Sequence, residues 1–95
     1  MAGMWIVHVD VTDPDKYAEY IEGSSRVAPA YGGEFIARGG RYQQREGRDY
    51  PRNVIVRFPT YEKAVEAYES AEYQAIVGLA EESSERQFTI IEVAD

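Results

Sequence analysis

Residues 4–11 alternate between two kinds of side chain, as a half-buried β-strand does. One face of this strand would carry Trp5, Val7, Val9 and Val11, and the other would carry Met4, Ile6, His8 and Asp10. The first set is wholly apolar and predicts a core-facing side. The second set is half apolar and half polar.

The residues after this strand change to helical spacing. Asp13 is a good N-cap, and Pro14 suits the first helical position. Pro29 predicts that the regular helix ends near residues 27–28, and the Gly32-Gly33 pair predicts a turn of the chain. The stripe predicted to be buried consists of Tyr17, Tyr20, Ile21, Ser24, Ala28 and Tyr31.

The second half of the chain predicts three further strands and more helix. A strand from 34 to about 44 would be weakened at Gly39-Gly40 and followed by a polar loop, residues 45–52. Residues 53–58 predict a strand, and Thr60 and Ser70 would cap two helical segments, the second over 71 to about 82. Residues 87–93 predict the last strand. The order β-α-β-β-α-β predicts one ferredoxin-like α+β domain over residues 1–95, with a four-stranded antiparallel sheet.

In such a fold the helices cover one sheet face, and the opposite face needs another cover. Here that face would offer Met4 and Ile6 beside His8 and Asp10, and Ile55 with Arg57 from the third strand. We therefore expect a homodimer packed sheet to sheet, with a cavity between the two sheets.

Composition restricts the partners. The 17 acidic and 10 basic residues give a net charge of −7, which disfavours nucleic acid and anionic membranes. The absence of cysteine removes thiol catalysis and thiolate metal sites. Without a signal-like N-terminus or a long apolar run, we expect a soluble, cytoplasmic protein. Eight tyrosines suit half-wet positions such as pocket walls.

Three stretches resemble one bacterial family. They are VDVTDPDKYAEY, GGEFIARGGR and, most specifically, FPTYEKAVEAYESAEYQ within VIVRFPTYEKAVEAYESAEYQAI. The chain is similar to the family called domain of unknown function 1330, from about residue 4 to 93. The resemblance implies a ferredoxin-like fold and a dimeric α/β barrel, whose superfamily includes small monooxygenases, isomerases, dechlorinases and simple binding proteins. Its cofactor-free isomerases and oxygenases imply that neither a metal nor an organic cofactor is needed.

The glycine-rich stretch GGEFIARGGR lacks the spacing of a Walker or Rossmann phosphate loop. Gly39-Gly40 inside a strand predicts a bulge that leaves space. Arg38 would lie on the face opposite Ala37 and Phe35 and point into that space. It would hold a ligand carboxylate or a carboxylate of the partner subunit, and the alternative is an exposed or intramolecular salt bridge.

His8 is the one histidine, two residues from Asp10 on the same strand face. The pair is a candidate acid–base dyad, and the alternative is a structural histidine at the dimer face. Glu92 would share that cavity if the last strand neighbours the first; the alternative is an edge charge. One histidine with scattered carboxylates predicts no metal site.

The tyrosines divide into two groups. Tyr31 and Tyr42 flank the glycine-rich strand and are candidate pocket walls. Four others have core spacing and are interpreted as packing residues: Tyr17, Tyr20, Tyr61 and Tyr68.

Two functions follow. In the first, the protein is a small-molecule enzyme without a cofactor, in which Arg38 positions a small anionic or aromatic compound and His8 moves a proton. In the second, it is a non-catalytic homodimeric binding module. The first requires His8 and Arg38 to converge on one cavity.

Overall fold

A computed structural model of the protein describes residues 1–94 and has the predicted order of strands and helices. The elements are β1 (Gly3–Val11), α1 (Pro14–Ala30), β2 (Glu34–Arg38), β3 (Arg52–Phe58), α2 (Tyr61–Glu69), α3 (Ala71–Ser83) and β4 (Ser84–Glu92). The strands form one antiparallel sheet in the order β2-β3-β1-β4. The ferredoxin-like α+β fold is therefore confirmed.

The helices cover one face of the sheet, and the core lies between the two layers. Alternation in β1 and β3 places their apolar side chains there, and the predicted inward faces of both strands are confirmed. Trp5 is at the centre, packs its ring against Phe58 and Tyr73, and donates a hydrogen bond of 2.9 Å to the carbonyl of Ala64 in α2. This bond fixes α2 on the sheet.

The three predicted helix caps are present. The side chains of Asp13, Thr60 and Ser70 accept hydrogen bonds from the backbone N–H groups of Lys16, Lys63 and Tyr73. None of the helices in the described part of the chain is long and apolar enough to cross a membrane.

The end of α1 differs from the prediction. The helix continues through Pro29 to Ala30, so the predicted end at 27–28 is too early. A proline in the last turn removes one N–H group, whereas the terminal carbonyls are still satisfied. The N–H of Gly32 donates to Pro29 and that of Gly33 donates to Ala28, at 2.9 and 2.8 Å. This is a Schellman ending, with Gly32 in the left-handed region at φ 82°, so the turn predicted at Gly32-Gly33 is confirmed.

Strand β2 also differs from the prediction. It ends at Arg38, because Gly39 and Gly40 both take positive φ angles and turn the chain away. The bulge lies at Ile36 rather than at Gly39-Gly40, since Phe35 pairs with Val56 but Ala37 pairs with Ile55. One extra residue reverses the alternation of faces beyond it.

The bulge decides the orientation of Arg38. Arg38 pairs with Val54, and both Val54 and Val56 face the helices. Phe35 and Arg38 therefore share the helix side of the sheet. The prediction that Arg38 lies opposite Phe35 is wrong.

Candidate functional site

A cavity lies between the sheet and α1. Its empty space, including the open part at the mouth, is about 370 Å³, and its enclosed part has room for about one water molecule. The apolar part of its wall combines aromatic rings with four aliphatic side chains, and three arginines supply the charge. The residues that concern the chemistry are Trp5, Phe35 and Phe88, Tyr17 and Tyr20, and Arg38, Arg52 and Arg86.

Two of the arginines are cross-strand partners of the same residue in β1. Val9 in β1 pairs with Arg52 in β3 and with Arg86 in β4. All three side chains face the helices, so two guanidinium groups flank a fully buried valine. Adjacent strands are about 4.8 Å apart, which puts the two arginine backbones about 10 Å apart. An anion between them could contact both.

These two arginines have buried nitrogen atoms without partners. Within residues 1–94, Nε of Arg52 and Nη1 of Arg86 are buried and make no hydrogen bond. No aspartate or glutamate in the described chain lines the cavity, and none of the salt bridges there includes Arg38, Arg52 or Arg86. Arg52 and Arg86 are half-buried. A partly desolvated cation without a counter-charge is unfavourable, so the arrangement favours an anion in the cavity.

Three tyrosine rings surround Arg86. Its Nη2 donates to the hydroxyl of Tyr73 at 3.0 Å, and that hydroxyl is 2.6 Å from the hydroxyl of Tyr20. Burial raises the pKa of Tyr73 and of Tyr17 above the ordinary tyrosine value, against the opposing effect of Arg86. Both phenols therefore stay neutral over the physiological pH range.

Arg38 lies at the exposed mouth of the cavity. Its guanidinium stacks 4.0 Å over the ring of Phe35 and donates a hydrogen bond to the hydroxyl of Ser25 in α1. The side chain connects the edge strand to the helix. The side chain is exposed, and among residues 1–94 it forms none of the salt bridges.

His8 lies on the opposite face of the sheet. Its Nδ1 is 2.7 Å from the side-chain oxygen of Asn53. Its ring borders an open hollow of about 510 Å³ under the loop of residues 39–51. The structure therefore does not bring His8 and Arg38 together on one cavity. This convergence was the condition for the predicted enzyme site.

Asp10 shares the face of His8 but bonds elsewhere. Arg48 from the loop bridges the carboxylates of Asp10 and Glu85 at 2.9 and 2.8 Å. These two acids are cross-strand partners, so the arginine relieves their repulsion. In the described contacts, Asp10 orders the loop rather than the imidazole.

The remaining predicted site residues lie apart from both places. Strand β4 does neighbour β1, as the Glu92 prediction required, but Glu92 pairs with Gly3 whereas His8 pairs with Gln87. The hydroxyl of Tyr31 donates to Glu72 at 3.0 Å, and that of Tyr42 donates to Asp49 at 2.9 Å. Neither tyrosine lines the cavity of the three arginines.

Sequence reasoning missed most of this cavity. Tyr17 and Tyr20 were interpreted as packing only, and Arg52, Arg86 and Tyr73 were not proposed as site residues. One signal was available: Arg86, Phe88 and Ile90 alternate on the half-buried side of β4. An arginine at a core-facing strand position is unusual and indicates an internal anion or a special contact.

The sequence matches a known protein family, and the fold resembles several solved structures. The model of a family described as "Domain of unknown function (DUF1330)" matches residues 2–94. The chain belongs to the DUF1330 family. No curated protein matches this DUF1330 chain significantly.

Several solved structures share the fold of this DUF1330 protein. A dimeric ferredoxin-like protein of unknown function from Jannaschia sp. CCS1 has a TM-score of 0.78 at 16% identity, covering 98% of this chain and 100% of that one. A protein of unknown function from Rhodopseudomonas palustris has 0.77 at 15%, covering 99% and 83%. SnoaB, a cofactor-independent oxygenase from Streptomyces nogalater, has 0.66 at 9%, covering 99% and 94%. At these identities the likeness concerns the fold alone.

Proposed function

We propose that this DUF1330 protein binds a small organic acid with an aromatic or unsaturated body in the cavity between the sheet and α1. The observation that carries the proposal is the pair of buried, unpartnered guanidinium nitrogens on Arg52 and Arg86. Each is a strong donor with fixed geometry, and a carboxylate offers the matching acceptors.

The rest of the cavity supports the same ligand class. Trp5, Phe35 and Phe88 give one part of the wall an apolar aromatic surface, while the arginines concentrate positive charge in a chain of net charge −7. In an aromatic acid, the carboxylate would contact the arginines and the ring would contact the aromatic side chains. The enclosed part of the cavity has room for about one water molecule, so the proposed ligand would have to widen it, with Arg38 moving away from Ser25 at the mouth.

The finer proposal is a cofactor-independent enzyme, of isomerase or monooxygenase type. Its support is the fold shared with a cofactor-independent oxygenase, together with arginines that would stabilise negative charge developing on a bound enol or phenol. The acid–base role predicted for His8 and Asp10 needs a substrate on the other sheet face. It is therefore a separate hypothesis from this cavity.

The alternative function is a non-catalytic binding module, and either version would act as a homodimer. On the sheet face away from the helices, Met4 pairs with Ile91 and Ile6 pairs with Ile55, and Ile91 is 42% exposed. An apolar cluster of this kind suits a second copy packed sheet to sheet. The relatives from Jannaschia and Thermobifida fusca described as dimeric lend support by analogy.

Calorimetric titration tests the binding proposal with benzoate and its neutral isostere, benzamide. We expect the wild-type protein to bind benzoate and to discriminate against benzamide. Arg86→Met keeps an unbranched side chain similar to the aliphatic part of arginine and removes the guanidinium, so benzoate affinity should fall at least about tenfold. Arg45→Met, an exposed loop arginine bonded to Gln43, is the matched control. Equal affinity of the two arginine variants would contradict the proposal.

A further inference from the structure

Three groups form a chain of hydrogen bonds that ends at the cavity. Nη2 of Arg86 is 3.0 Å from the hydroxyl of Tyr73, and the hydroxyls of Tyr73 and Tyr20 are 2.6 Å apart. Tyr20 lines the cavity, whereas Tyr73 lies behind it and is fully buried.

The donor and the acceptor in each of these two hydrogen bonds follow from counting the available hydrogens. A guanidinium can only donate, so the oxygen of Tyr73 accepts from Arg86. The hydrogen of Tyr73 then needs its own acceptor, and the described hydrogen bonds offer it only the oxygen of Tyr20. If Tyr20 donated instead, a fully buried hydroxyl hydrogen would be left unpaired, which is unfavourable. Tyr73 therefore donates to Tyr20.

This order leaves the hydrogen of Tyr20 without a partner among residues 1–94. Since the ring of Tyr20 borders the cavity, we propose that the Tyr20 hydroxyl donates to the ligand's acid group, oriented by Tyr73 and Arg86. The inference rests on the proposed function and narrows its ligand. The groups on Arg52, Arg86 and Tyr20 that would contact the acid are then all donors. A carboxylate accepts at both oxygens, while the NH2 group of a primary amide offers these donors no acceptor.

In this scheme Tyr20 contacts the ligand, and Tyr73 is a positioning residue. Removing the hydroxyl of Tyr20 deletes one bond to a charged acceptor. Removing the hydroxyl of Tyr73 frees the hydrogen of Tyr20 to rotate away from the ligand. This substitution therefore affects binding only while Tyr20 has a hydroxyl. The two effects are therefore expected to be non-additive.

The experiment is a double-mutant cycle on benzoate affinity, with Tyr20→Phe, Tyr73→Phe and the double variant. Tyr20→Phe should weaken benzoate binding about tenfold and reduce the preference over benzamide. Tyr73→Phe should weaken binding in the wild-type background and have no effect on top of Tyr20→Phe. Tyr68→Phe is the control, because its ring contacts Tyr73 at 5.0 Å without lining the cavity. Melting curves without ligand identify the folded variants, and Tyr20→Phe decides alone if Tyr73→Phe does not fold.

The outcomes separate the two proposals. Unchanged benzoate affinity in Tyr20→Phe, with loss in Arg86→Met, overturns the role of Tyr20 and leaves the anion site standing. Additive effects of the two tyrosine variants overturn the relay through Tyr73. No benzoate binding by the wild-type protein overturns the proposed function, and this inference with it.

Discussion

At the scale of single residues, the cavity depends on where a few polar side chains lie relative to the sheet. The alternation of β1 predicted correctly that His8 and Asp10 lie away from the core. Arg38 was misplaced, because no residue type at Ile36 identifies it as the extra residue of a bulge. The inward orientation of Arg86 could have been predicted from the sequence, since it continues the alternation of Phe88 and Ile90. The contacts among Tyr20, Tyr73 and Arg86 could not be predicted from the sequence, because 53 residues separate the two tyrosines.

Tyr31 makes a residue-scale contact whose pH dependence can be predicted. Its hydrogen bond to Glu72 lowers the pKa of that carboxyl below the ordinary glutamate value. Glu72 therefore binds fewer protons in the folded state than in the unfolded state. The contact stabilises the folded state at pH values above the ordinary pKa of glutamate. This stabilisation is lost as the pH falls through the lowered pKa of the folded state.

Replacing Tyr31 by phenylalanine should return the pKa of Glu72 towards the ordinary value. An NMR titration of the Glu72 side-chain carboxyl in the wild-type and Tyr31→Phe proteins measures this directly. Tyr42→Phe, which removes a similar exposed bond to Asp49, is the control and should leave Glu72 unchanged. A Glu72 pKa that is the same in all three proteins would show that the bond is not formed in solution.

At the scale of elements, the packing of α2 on β1 depends on one glycine. A Cβ atom on Gly3 would lie 2.6 Å from Cα of Tyr61 and 2.9 Å from the carbonyl oxygen of Thr60. Both are backbone atoms at the start of α2, so they cannot move aside as a flexible side chain would. Gly78 in α3 has no atom within 4 Å of such a Cβ.

The two glycines predict opposite effects of the same substitution. Gly3→Ala should destabilise the fold by about 1–3 kcal/mol, because α2 must move off the sheet. Gly78→Ala should stabilise it by about 0.5–1 kcal/mol through helix propensity. Urea denaturation of both variants measures the free energy of unfolding. Gly3→Ala as stable as the wild type would rule out the close approach of α2.

Element boundaries were the weaker part of the sequence interpretation, for local physical reasons. Pro29 was expected to end α1 two to three residues early, but a proline in a last turn costs only one hydrogen bond, and the Schellman ending compensates. Strand β2 was expected to reach about residue 44, but two successive glycines with positive φ end it at Arg38. The element order and the inward faces of β1 and β3 needed only periodicity and caps, and these were predicted.

At the scale of the whole molecule, the uncovered sheet face predicts association. Ile55 lies near the middle of this face, next to Ile6. Ile55→Lys would place a charge in the proposed sheet-to-sheet interface and should convert the dimer to monomers. Sedimentation equilibrium measures the mass, and Ala75→Lys, at an exposed position of α3, adds the same charge away from the face. A wild-type protein that sediments at 10.8 kDa would contradict the dimer.

The proposed anion site inside the molecule depends on Arg52 and Arg86. An NMR titration of 15N-labelled protein with benzoate, observing the arginine Nε–H signals, tests it most directly. We expect the signals of Arg52 and Arg86 to shift saturably and together, while that of Arg45 stays in place. Saturable binding that shifts the His8 ring or the loop of residues 39–51, and leaves Arg52 and Arg86 unchanged, would contradict the account.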